Sequence, residues 1–161
     1  MDIIWFKRDL RIQDNEALHE ACLNKNVIPL YILEPELWKQ PDLSYRHYNF
    51  LLECLSDLNN DLKKLGQKLI VRIGDSVEIF SELNDLHNIS SIWSHQETWN
   101  GWTYARDQAV RRWCKSRSIT WHEPAQNGVV RRLANRDGWA ARWYHQMKQP
   151  LTEKPGKMRS I

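Results

Sequence analysis

The sequence is short of cysteine, glycine and phenylalanine and has no long apolar run, and each shortage narrows what the chain can be. Its three cysteines, at positions 22, 54 and 114, are odd in number and far apart. That pattern fits neither a disulfide framework nor a CxxC metal site, and it predicts reduced, buried thiols. The longest apolar stretch is the seven residues Val27 to Leu33, against the roughly 20 that a membrane-spanning helix needs. Four apolar residues, Ile3 to Phe6, precede Lys7 and Arg8, too few for the core of a secretory signal, so a cytoplasmic location is expected. The glycines form neither GxGxxG nor a P-loop. Lys7-Arg8-Asp9-Leu10-Arg11 follows the first apolar run and places bulky side chains where a backbone would have to approach a pyrophosphate. No GxSxG elbow occurs, and the six histidines never stand at i, i+4 or beside a cysteine at metal-ligand spacing. No complete catalytic constellation is visible.

In contrast, tryptophan is abundant, nine residues of 161, in a chain that is 42% hydrophobic and 27% charged, as expected of one soluble globular domain. Indole offers a large flat apolar face with one donor, which suits buried anchors, a stacking pocket or a docking surface equally.

The net charge of +3 hides a polarity. Residues 1–102 hold 10 basic and 16 acidic residues, residues 103–148 hold 10 and 3, and residues 149–161 hold 3 and 1. In the basic third, Arg106, Arg111, Arg112, Arg117, Arg131, Arg132, Arg136 and Arg142 are interleaved with Trp113, Trp121, Trp139 and Trp143. Such a mixture can bind phosphates while stacking bases, or it can be the solvated face of a helix whose remaining arginines meet acidic groups elsewhere.

Hydrophobic pattern and breakers predict alternating strands and helices. Strands are expected at Asp2 to Phe6, Val27 to Leu33, Leu69 to Ile73, Ile89 to Ser94 and Ile119 to His122. A helix capped by Asp14 or Asn15 runs to about Asn24. A second starts after Ser44, with Leu51, Leu55, Leu58, Leu62 and Leu65 on one face, and ends at Gly66. A third begins at Ser76 with Ile79, Phe80, Leu83 and Leu86 inward, and a fourth is capped by Thr103 and runs to about Lys115. Trp38 falls in a loop. Short apolar runs separated by helices indicate a doubly wound five-stranded parallel sheet, Rossmann-like, of order 3-2-1-4-5, with helices on both faces. Ligands in such sheets bind outside the carboxyl ends of the strands at the switch point, here between the first and fourth strands. The loops placed there are Lys7 to Asp14 and His95 to Thr103, the latter carrying Glu97, Trp99, Asn100 and Trp102. In the first loop Arg8 or Arg11 can hold an anion, while Asp9, Arg11 and Asp14 can equally fix the turn and cap the helix. Residues 1–123 form the α/β domain, residues 124–148 a basic, Trp-rich extension packed on it, and residues 149–161 a linker or tail.

Trp5-Phe6-Lys7-Arg8-Asp9-Leu10-Arg11 with Asp14-Asn15-Glu16-Ala17-Leu18 resembles the amino-terminal signature of the photolyase/cryptochrome family. Pro29-Leu30-Tyr31-Ile32-Leu33-Glu34-Pro35, Gly74-Asp75, the run from Glu97 to Asp107, and Gly128-Val129-Val130-Arg131-Arg132 with Arg136-Asp137-Gly138-Trp139 extend the likeness over about residues 2 to 148. The resemblance implies the amino-terminal α/β domain of a light-dependent DNA-repair enzyme, a deoxyribodipyrimidine photolyase, or of a blue-light receptor. It implies a partner too, the helical domain that holds FAD and makes most of the DNA contact, none of whose motifs are in this sequence, so the chain alone is not expected to be catalytic. It further implies a light-harvesting chromophore (deazaflavin, flavin or folate) that passes energy to FAD. The expected chromophore residues are Phe6, Arg8, Tyr31, Leu33, Arg46 and Glu97, to which the switch-point loop adds Trp99 and Asn100. A stand-alone interaction module, docking a protein or nucleic acid through its basic, Trp-rich surface, is the alternative.

Overall fold

The computed structural model describes residues 1–23, 26–131 and 133–158; the expected helix end at Asn24, and Arg132, lie outside the described residues. Five parallel strands form one sheet, β1 (Asp2–Phe6), β2 (Val27–Leu33), β3 (Ile70–Ile73), β4 (Ser91–Trp93) and β5 (Thr120–His122), in the order β3-β2-β1-β4-β5. This is the expected order, and β1 and β2 have the expected bounds. β1 is central and buried at all five positions because both of its faces are covered. Its alternation divides the core: Ile3 and Trp5 join Leu30, Ile32, Ile79, Phe80, Val110 and Trp113, whereas Ile4 and Phe6 join Ala17, Leu18, Leu55, Leu58 and Leu62. β3 is an edge strand, and its Val71, Arg72 and Ile73 are exposed.

Helices α1 (Glu16–Cys22) and α3 (Tyr45–Lys64) cover one face, and α4 (Ser76–His87) and α5 (Gly101–Ser116) the other, with α2 (Pro35–Trp38) a single turn after β2. Trp38 therefore ends a short helix and does not lie in a loop. One cap differs from expectation, Asn100 standing where Thr103 was expected, and α4 begins at Ser76 as expected. Asn15, one of the two expected, caps α1 by accepting from Leu18 N, while Asp14 takes a left-handed φ of 50°. Asp75 caps α4 and Asn100 caps α5, each accepting from backbone N–H groups in the first turn. Where two or three capping residue types stand within four positions, the one that keeps extended backbone wins. Leu86, expected inward, is exposed in the last turn of α4. Of the thiols only Cys114 is buried; Cys22 and Cys54 are half-buried.

Past β5, the nine-residue helix α6 (Trp139–Met147) buries no residue fully. It is anchored at the Asn127-Gly128 turn. Trp139 Nε1 donates to the Gly128 carbonyl at 3.2 Å, and the Trp143 indole packs so closely on Gly128 that a Cβ there would stand 2.0 Å from the ring. The described part of the expected linker or tail is strapped to the domain. Asp14 and Thr152 exchange hydrogen bonds (3.0 and 3.2 Å), Met158 N donates to the Leu65 carbonyl at 2.7 Å, and the Met158 side chain packs against the α1–α3 layer. Among the described residues, no helix is long and apolar enough to cross a membrane.

Asn15 ties the β1–α1 connection together: beyond its capping role, its Nδ2 donates to the Arg11 carbonyl at 3.1 Å and the Asp9 carbonyl at 3.3 Å, fully buried. Asn15→Ala is expected to cost about 1–3 kcal/mol in urea unfolding, and a loss under about 0.5 kcal/mol would contradict this role.

Candidate functional site: the crevice at the strand ends

Loops that leave β1 and β4 in opposite directions open a crevice of about 650 Å³ at the carboxyl ends of the strands. One wall is β1 and its continuation, Trp5 to Arg8. The second is the end of β2 with α2, carrying Tyr31, Glu34 and Trp38. The third is the first half of α3, and the last is Glu97, Trp99, Thr103 and Arg106. The α3 wall shows its helical period directly, because His47, Phe50, Leu51 and Cys54 face the crevice.

Phe6, Arg8, Tyr31, Glu97 and Trp99 are thus brought together as expected, and three expected residues are not. Leu33 packs into the α1–α3 layer, and Glu34, one position on, takes its place at the crevice. Arg46 is exposed, one helical step off the face formed by His47 and Phe50. Asn100 clips the rim from outside: it caps α5, and its Nδ2 donates to Asp42 at 3.0 Å.

The floor is charged and buried. Arg106 donates to Glu34 at 2.5 Å and to Asp107 at 2.9 Å, and Asp107 also takes Lys7 (3.6 Å) and Arg131 (3.3 Å). Ser76 adds its hydroxyl to Glu34. Burial pushes the Glu34 carboxyl up, against the opposing pull of Arg106 and Ser76. Burial likewise pushes the Lys7 ammonium down, opposed by Asp107 and reinforced by Arg106. Beside the floor, Asp9 accepts from His95 Nδ1 at 2.5 Å and from Lys7 N at 3.1 Å. Burial alone would raise the Asp9 carboxyl, but His95 and the backbone donors outweigh it and hold it below its ordinary value.

Arg106, Lys7, Asp107 and the Asp9–His95 pair were missed as site residues. The expected basic face is also partly paired: Arg106 spends its charge inside on Glu34 and Asp107, half-buried Arg131 on Asp107 and Glu123, and exposed Arg111 on Glu123. No local signal marked Arg106, because its partner Glu34 lies 72 residues away.

Cations stand over the ring faces: Arg8 lies 4.6 Å from the Trp99 centroid, and Arg106 lies 4.7 Å from that of Trp5. Arg8 also pairs with Glu97 at 3.7 Å. Three buried donors of the lining, Lys7 Nζ, Arg106 Nη2 and Trp38 Nε1, have no hydrogen-bond partner among the described residues, although Lys7 keeps its ion pair with Asp107. Aromatic walls with unspent donors suit a planar ligand rich in carbonyl and ring-nitrogen acceptors.

A DNA photolyase family model matches residues 2–155. The chain belongs to the DNA photolyase family. It is 35% identical over 103 residues to a chloroplastic/mitochondrial cryptochrome DASH of Arabidopsis thaliana, covering 60% of this chain and 18% of that protein. It is also 32% identical over 127 residues to Cryptochrome-1 of Anopheles gambiae, covering 73% and 23%. An archaeal photolyase of Sulfolobus tokodaii, solved with two FAD molecules, matches in fold over the whole chain and 38% of its own length, with a TM-score of 0.75 at 24% identity. The chain spans about a fifth of the curated relatives' length.

In this photolyase-family domain, Asp9 couples the crevice floor to acid stability. Because its folded value is depressed, its contribution is fully present above the ordinary value of 3.8 and is lost as pH falls below it. Asp9→Asn is expected to lose less stability than wild type on going from about pH 6 to about pH 3 in urea unfolding, and equal losses would contradict the assignment.

Proposed function

We propose that the chain is the amino-terminal α/β domain of a light-dependent DNA-repair enzyme or blue-light receptor, and that its strand-end crevice holds a light-harvesting flavin or deazaflavin. The observation that carries this reading is the crevice's combination of Tyr31, Trp38, Phe50 and Trp99 walls with the unspent donors Arg106 Nη2 and Trp38 Nε1 among them. The Sulfolobus tokodaii photolyase, with its two FAD molecules and the light-harvesting cofactor they imply in that protein, makes a flavin a reasonable occupant.

When bound, such a chromophore supplies blue or near-ultraviolet absorption and an excited state whose energy passes to FAD in a helical partner domain. The residues of this chain do the rest. Trp99 and Tyr31 offer stacking surface, Arg106 Nη2 and Trp38 Nε1 donate to ring acceptors, and Arg8 and Glu97 border the opening. The floor's charges are already balanced in pairs, which favours a neutral ring over an added anion. The helical domain, rather than this chain, holds FAD and makes most of the DNA contact.

Purified protein mixed with riboflavin or 5-deazariboflavin should retain the chromophore through gel filtration. Trp99→Ala should weaken binding at least about tenfold, the scale of one lost aromatic stack. Arg46→Ala should leave it unchanged. Failure to retain either compound, or binding indifferent to Trp99, would overturn the reading.

A further inference from the structure

We infer that Arg8 and Arg106 keep Trp99 and Trp5 from quenching a bound chromophore by electron transfer, an inference that rests on the crevice being a chromophore site. Indoles beside an excited planar acceptor are efficient quenchers. The indole gives up one electron to the excited ring, becomes a radical cation, and takes the electron back on recombination, so that nothing is consumed and the excitation is lost as heat. A site walled by tryptophan is therefore a poor place to keep light energy unless those indoles are hard to oxidise.

The geometry supplies that protection. The Arg8 guanidinium stands 4.6 Å from the Trp99 centroid, and Arg106 stands 4.7 Å from that of Trp5 and 5.8 Å from that of Trp102. Trp5 and Trp99 both line the crevice. Arginine carries its charge at every working pH. A cation on the ring face stabilises the neutral indole through its quadrupole and repels the positive charge that oxidation would create, so both effects raise the cost of removing an electron. Glu97 balances Arg8 in net charge, and Glu34 and Asp107 balance Arg106, but the groups set over the rings are the guanidiniums. Arg8 is more than half exposed, with one ion pair, so its position over Trp99 is not explained by packing. Trp38 is the contrast. Among the described residues no cation stands over it, and it meets Tyr48 edge-on at 5.2 Å.

The test is the fluorescence lifetime of bound riboflavin, with binding titrated separately by absorbance, in a Trp38→Gln parent that removes the unshielded indole but keeps an N–H donor, after retention by wild type is established. Arg8→Gln should shorten the lifetime at least about twofold, Arg8→Lys should keep it near the parent value, and adding Trp99→Phe to Arg8→Gln should restore it. Trp99→Phe alone should change it little, because the shielded indole already quenches weakly. An Arg8→Gln variant that binds riboflavin with the parent lifetime, or a lifetime at least about doubled by Trp99→Phe alone, would overturn this inference and leave the crevice reading standing. If Arg8→Gln binds no riboflavin, the Trp99→Phe comparison decides. No riboflavin retained by wild type would overturn both.

Discussion

Arg106 reaches from α5 to Glu34 at the end of β2 and to its neighbour Asp107, and Asp107 in turn takes Lys7 from the end of β1 and Arg131 from the extension. Four separate pieces of chain therefore meet at one buried cluster under the crevice. Desolvating that many charges is expensive, and an apolar substitute of similar volume is commonly neutral or stabilising. The core has no need of the cluster, since two apolar layers already hold the sheet between its helices. What the cluster fixes is geometry: the strand ends, the start of α5 and the loop bearing Trp99 are held at set spacings. The unspent Nη2 of Arg106 and its place over Trp5 follow from the same two ion pairs.

Much of the fold is legible from pattern alone. Val27 to Leu33 is one uninterrupted apolar run, and Asp2 to Phe6 ends in a charged loop, so both central strands keep their expected bounds. Right-handed crossovers between buried strands then leave few sheet orders, and the switch point follows. Periodicity fails at Leu86, exposed in the last turn of α4, and composition fails where one residue type has two uses. Arg106 shares its segment with solvated arginines such as Arg112 and Arg117, and nothing local separates a buried arginine from an exposed one. Its partner Glu34 lies 72 residues away, beyond the reach of any local pattern. Proline and glycine in the tail suggested a linker, but three hydrogen bonds to Asp14 and Leu65 decide its path.

The nine tryptophans divide by neighbour. Trp5, Trp113 and Trp121 belong to the layer around Phe80, and Trp93 stacks on His122 at 3.8 Å. Trp38, Trp99 and Trp102 surround or border the crevice, and Trp139 and Trp143 pin α6 to Gly128 while remaining over a third exposed. Trp5 joins both groups, since it lines the crevice under Arg106, and the crevice carries unspent donors beside open volume.

If the buried ion pairs serve the crevice rather than stability, the two properties should separate when the pairs are replaced together. The direct measurement is the double variant Arg106→Met/Glu34→Leu, followed by urea unfolding and riboflavin titration on the same preparation. Stability equal to or above wild type, with riboflavin binding weakened at least about tenfold, is the expected result. A collapse of stability with riboflavin binding intact would contradict it.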